Sequence, residues 1–211
     1  NRDFIITSLQ PWDIEIGSTI KNTALEISKN NRVLYINTPM DYSTRLRGNK
    51  NKAWTRRMDV IKKQASPIRQ INEHMWIADC PFCVLPVGGL PTTCLFDWIN
   101  RINNRKIADY IRQITAQLNF NNYIHLIDTD IYRSQYLKEY LTPSLSIYYC
   151  RDFVIGESYW KKNGVRLEPL LAAKSDIVLA NSTHFSGNIT VTLFLLKPES
   201  ILLCMMVGKN G

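Results

Sequence analysis

The sequence predicts an α/β fold with a doubly wound, mainly parallel sheet, and three observations carry that expectation. Short apolar runs alternate with stretches of helical periodicity, as they do in a sheet covered on both faces. The 211 residues, 45% of them hydrophobic, suffice for one sizeable core. Each clear apolar run then ends on polar or charged residues, where an open sheet of this kind places its ligands.

Phe4 to Thr7 reads as the first strand. Ser18 is the expected N-cap of a first helix whose Ile20, Ala24 and Ile27 share a face. "RVLYI", 32–36, is a second strand that stops at Asn37-Thr38-Pro39. Extended segments between Ile68 and Phe82 are less sharply marked. From Leu90 to Leu118 the pattern is helical in two phases. Leu95, Ile99 and Ile102 lie on one face, and Ile107, Ile111, Ile114 and Leu118 on another. The slip at Asn103-Asn104 predicts a break or kink. Strands follow at 123–127, 145–149 and 177–180, with helices at 134–141 and 167–173; Pro169 is tolerable in a first turn. Residues 1–185 form the expected domain. Residues 186–211, apolar and β-leaning, form an atypical tail.

The carboxyl ends of these strands supply the candidate site residues. They are Trp12, Asp13, Glu15, Gly17 and Ser18 after the first strand, and Asp128 and Asp130 after "YIHLI". Arg151 and Asp152 follow "LSIYY", and Ser182 follows "IVLA". Of three histidines, His125 lies inside a strand and reads as a core residue.

Eight cations against one anion between Thr44 and Lys63 hold nearly all of the net charge of +8. Within this stretch Trp54, Met58 and Ile61 recur at i, i+4 and i+7. The stripe fits two arrangements. A basic helix can lie on an anionic membrane surface, with Arg45, Arg47, Trp54, Arg56, Arg57, Met58, Ile61, Lys62 and Lys63 facing it. Alternatively the helix docks on the core by that stripe and its charges are solvated. No nucleic-acid-binding motif or stacking module accompanies the charge, so nucleic acid is not an expected partner.

Five scattered cysteines suit a reducing compartment. Cys80-Pro-Phe-Cys83 has the spacing of a redox or zinc pair, but Pro86, Gly88, Gly89 and Pro91 forbid the helix a redox site would open. There is also no second pair to complete a zinc site. Asn1 to Ile6 is strand-like, no apolar h-region follows a basic start, and no uncharged apolar run reaches a membrane-spanning length. The expected location is cytoplasmic, with the inner membrane face as a peripheral option through the basic stretch.

"SLQPWDIEIGSTIKNTALEISKNNRVLYINTP", "LSIYYCRDF" and "RLEPLLAAKSDIVLANS" together resemble bacterial glycosyltransferases of the GT-B architecture. The resemblance covers about residues 3 to 183 and implies an amino-terminal, acceptor-side Rossmann-like domain. It implies a nucleotide-sugar donor held mainly by a carboxy-terminal domain absent from these residues, and a glycan or lipid-linked acceptor. It implies no resident cofactor or metal. Trp12 would then pack on a sugar face, while Glu15, Gly17, Ser18, Asp130, Arg151, Asp152, Glu168 and Ser182 bind substrate. Asp13 and Asp128 are the candidate general bases, because a carboxylate at the cleft can deprotonate an acceptor hydroxyl.

Two rival readings follow from the residues. "LIDTD" places two carboxylates at a strand end, where a metal-dependent GT-A transferase would hold a divalent cation on Asp128 and Asp130. An isolated Rossmann-like domain could also serve as a non-catalytic binding module.

Overall fold

A computed structural model describes residues 1–14, 17–49 and 51–180. Seven strands form one sheet: β1 (Asp3–Ser8), β2 (Arg32–Asn37), β3 (Ile68–Asn72), β4 (Met75–Asp79), β5 (Ile124–Asp128), β6 (Leu145–Cys150) and β7 (Ile177–Ala180). Their order is β3-β4-β2-β1-β5-β6-β7. Every neighbouring pair is parallel except β3 with β4. Counted in chain order, the parallel strands run third, second, first, fourth, fifth, sixth, the Rossmann-like doubly wound order.

The central strands are apolar throughout because both faces are covered. On one face, Ile5, Leu34 and Ile36 pack against Ile107, Ile111 and Ile114 of α4 (Thr93–Gln117) and against Leu137 and Leu141 of α5 (Leu137–Leu141). On the other face, Ile6, Val33, Tyr35 and Ile77 meet Ile20 and Ala24 of α1 (Thr19–Ser28). Ile127 and Tyr148 pack with Leu167 and Leu171 of α6 (Ser158–Lys174). Edge strand β3 is partly to fully exposed and pairs on one side only.

Two helix expectations require correction. α4 is unbroken through Asn103-Asn104. Its stripe slips because Phe96 packs with the α6 cluster, whereas Ile107 to Ile114 pack under β1 and β2. The two asparagines are buried where one set of contacts gives way to the other. Asn103 bonds both the N–H (2.9 Å) and the C=O (2.8 Å) of Leu85. Asn104 donates to the Asn100 and Tyr132 carbonyls and accepts from the Tyr136 N–H. α6 begins at Ser158, so Pro169 lies inside it, on an exposed position where one missing backbone bond faces solvent.

Candidate active site

Parallel strands all deliver their carboxyl ends to one edge. The chain leaves β1 toward β2 on one side and reaches β5 on the other, which opens a crevice above β1 and β5. Two polar networks line that edge.

The first is centred on Asp128, the last residue of β5, which is fully buried. Its Oδ2 accepts from Ser8 Oγ at 2.7 Å, and its Oδ1 accepts from Arg151 Nε at 3.1 Å. Arg151 Nη2 also reaches Oδ2 at 3.4 Å. Burial works against the charge of Arg151, but the bond to Asp128 and the charges of Asp128 and Asp152 together outweigh it and hold its pKa above the ordinary value. Gln10 links this network to the helix start: its N–H donates to Ser8 Oγ, and its Oε1 accepts from Ser18 Oγ at 2.5 Å.

The second network joins the loop after β1 to β2 and β4. Asn37 ends β2; its Oδ1 accepts from the Trp12 N–H, and its Nδ2 donates to Asp79 at 2.7 Å and Asp13 at 3.3 Å. Asp79, fully buried at the end of β4, accepts from Arg56 Nε at 3.0 Å. Arg69, from β3, pairs with Asp13 at 2.5 Å and lies 3.8 Å from Asp79. Asp13 uses only Oδ2 in these bonds; its Oδ1 accepts from no described residue.

Between Asp128 and Asp130, Thr129 has φ of 57° although it is β-branched and fully buried. Such a backbone costs roughly 1–3 kcal/mol and persists only where the surroundings impose it. Its N–H donates to the Tyr149 carbonyl. This strained residue marks the β5 end as a built feature. Asp130 is also fully buried; burial raises its carboxyl pKa more than nearby Arg133, 3.7 Å away, lowers it.

The sequence candidates divide accordingly. Asp13, Ser18, Asp128, Asp130 and Arg151 gather at the crevice. Asp152 sits beside them, exposed and paired with Arg151 at 3.1 Å. Trp12 is half-buried, edge-on to Tyr35 at 5.3 Å, with Lys21 over its ring. Gly17 is exposed; apart from its chain neighbours no described residue has an atom within 4 Å of where a Cβ would stand, so crowding by the described residues does not require glycine there. Glu168 does not reach the crevice. It is buried in α6 and accepts from Tyr148 Oη at 2.7 Å and Cys150 Sγ at 3.5 Å. Glu15 and Ser182 lie outside the described residues, as do Lys50 and the tail from 186 onward.

The expected membrane stripe is not an exposed one. On α3 (Lys52–Ile61), Met58 is buried with Met40 and Cys83, and Trp54 and Ile61 pack against that cluster. Arg56 turns inward to Asp79, and Arg57 is half-buried beside it. Arg45 and Arg47 on α2 (Tyr42–Arg47), with Lys62 and Lys63, remain exposed. Among the described residues no helix is long and apolar enough to cross a membrane.

Asp128 and Asp130 each face an arginine, and no cluster of three or more His, Cys, Asp or Glu among the described residues could hold a metal ion. Cys80 and Cys83 are free buried thiols.

Sequence reasoning missed Asn37, Asp79, Arg69 and Arg133. Asn37, at the end of the assigned second strand, was accessible to the strand-end rule that found Asp128, and Asp79 would have been had the weakly marked β4 been assigned. Arg69 and Arg133 carry no local signal, because only the fold brings them to this edge. Comparison of the chain with protein-family models, with curated proteins and with solved structures returned no match.

Proposed function

We propose that this chain is the acceptor-side domain of a GT-B-type glycosyltransferase, which moves a sugar from a nucleotide-sugar to a glycan or lipid-linked acceptor. The observation that supports the reading is the carboxylate of Asp13 on the crevice loop. Arg69 and Asn37 fix its Oδ2, and its Oδ1 accepts from no residue among those described.

In an inverting transfer, the acceptor hydroxyl would donate to Oδ1. Its oxygen forms the new bond to the anomeric carbon while the bond from that carbon to the nucleoside diphosphate breaks. Asp13 takes the hydroxyl proton, and the leaving diphosphate keeps the electron pair. Asp128 has both oxygens engaged and serves as a positioning residue for Arg151.

The test uses the full-length protein encoded by the gene, assayed for consumption of nucleotide-sugars. Asp13→Asn is expected to lower kcat by about 10²–10⁴-fold, the usual worth of a positioned general base, with little change in melting temperature. Asp128→Asn is expected to lower stability as well, since it breaks a buried ion pair. Wild-type turnover in Asp13→Asn would overturn the assignment of the base.

A further inference from the structure

A small pocket lies at the carboxyl edge, between segments that leave different strands. Asp41 follows β2 and caps α2, and Tyr132 and Arg133 stand in the turn after β5. Tyr159 and Trp160 open α6, and Asn100 comes from α4. Asn100 is only 1% exposed, yet its enclosed Nδ2 finds no acceptor among the described residues. Its Oδ1 is taken by Asn104 Nδ2 at 3.3 Å. The Arg133 guanidinium lies 3.7 Å from Asp130, an ion pair beyond hydrogen-bond length, so it keeps donors for another partner. Tyr159 is held firmly beside them. Its ring stands 5.8 Å from that of Tyr132 and 5.0 Å from that of Trp160, and a Cβ on Gly88 would come within 2.5 Å of it. Tyr159 is nevertheless 42% exposed.

A buried donor without an acceptor costs free energy, which a ligand's acceptor recovers. The enclosed space is about 10 Å³, room for one water-sized group. A hydroxyl fits it; a phosphate group or a nucleobase is too large. Charge narrows the ligand further. Arg133 and Asp41 border the same pocket, so an anion meets the carboxylate and a cation meets the guanidinium. A neutral group that both donates and accepts meets neither penalty. Outside the enclosed space, the exposed ring of Tyr159 offers a flat apolar face. A pyranose combines the two requirements, with hydroxyls that donate and accept and a face of C–H groups.

We propose that this pocket is a saccharide subsite. One hydroxyl of the sugar enters and accepts from Asn100, and the ring lies against Tyr159. The inference deepens the acceptor reading above and rests on it for the role of the sugar.

Saturation-transfer difference NMR on the full chain tests the subsite, with the methyl glycosides of glucose, galactose, mannose and N-acetylglucosamine as probes. At least one should show saturable binding. Tyr159→Ala should weaken that binding roughly fivefold or more, whereas Tyr159→Phe keeps the ring and should stay within about twofold. Trp98→Ala removes an exposed aromatic side chain that does not border the pocket, and should also stay within about twofold. Asn100→Ala should weaken binding as Tyr159→Ala does; if it fails to fold, the two Tyr159 variants decide the matter. No saturable binding of any of the four glycosides, tighter binding of uridine than of all four, or wild-type binding in Tyr159→Ala would each overturn the proposal. The transferase reading fails separately. Glycoside binding without turnover in the full-length protein would keep the subsite and remove the transferase, and turnover with an unchanged acceptor KM in Tyr159→Ala would do the reverse.

Discussion

His125 shows how burial alone sets a pH dependence. It lies in β5, fully buried, with Nε2 2.9 Å from Thr7 Oγ1 and no partner for Nδ1. Burial pushes its pKa from 6.5 down to about 3. Between those values the unfolded chain binds a proton that the folded chain refuses, so stability falls as the solution is acidified. The loss has a limiting slope of about 1.4 kcal/mol per pH unit and is absent above pH 7. Asp130 acts with the opposite sign, because its raised pKa favours proton uptake by the folded state. A His125→Asn variant separates the two. In urea unfolding at several pH values, its stability relative to the wild type should be constant above pH 7 and improve steadily below 6.5. Parallel curves would contradict this account. The place of His125 was legible in "YIHLID", because a residue two positions inside a central strand must be covered. The ion pairs of Asp13 and Asp79 were not, because Arg69 and Arg56 come from segments 56 and 23 residues away and neither carries a local sign of the strand end it meets.

α4 illustrates the same difference one level up. An apolar stripe that changes phase beside two asparagines has the pattern of a break, since asparagine is a poor interior helix former. The structure shows one helix with two packing partners, and Asn104 ties it to the turn after β5. The two interpretations give opposite signs for one substitution. At a break, Asn104→Ala would stabilise the chain, alanine being the better helix former. Here it removes the partners of the Tyr132 carbonyl and the Tyr136 N–H in a buried place, so it should cost about 1–3 kcal/mol. Urea denaturation checks the sign, and far-ultraviolet circular dichroism should show unchanged helix content. α3 repeats the lesson: its Trp54-Met58-Ile61 periodicity identified a helix, but periodicity does not say whether a stripe faces lipid or core. That choice depends on Met40 and Cys83, which the fold brings from other segments.

The parallel sheet was readable because its central strands are apolar on both faces and stand out from the helices between them. β3 and β4 were harder, since "IRQIN" is an exposed edge and "MWIAD" is short. Yet β4 delivers Asp79, which anchors Arg56 and organises half of the crevice. Two of the cations that suggested a membrane surface turn inward, Arg56 and Arg57, toward the carboxyl edge where Arg69, Arg133 and Arg151 also lie, while Arg45, Arg47, Lys62 and Lys63 stay exposed. An edge that gathers five arginines among four buried or nearly buried aspartates is suited to hold a charged substrate, but binding is not transfer. In the proposed reading the donor sits on a second domain, and reaction requires donor and acceptor aligned across a closed cleft. Such alignment supplies roughly 7–11 kcal/mol of barrier lowering, and the acceptor side cannot furnish it unaided. Residues 1–211 assayed alone should therefore release no nucleoside diphosphate from any nucleotide-sugar above the uncatalysed rate. Release that follows acceptor concentration and is abolished by Asp13→Asn would show that this single sheet completes the cleft by itself. The two-domain reading would then fall, while the assignment of Asp13 as base would survive it.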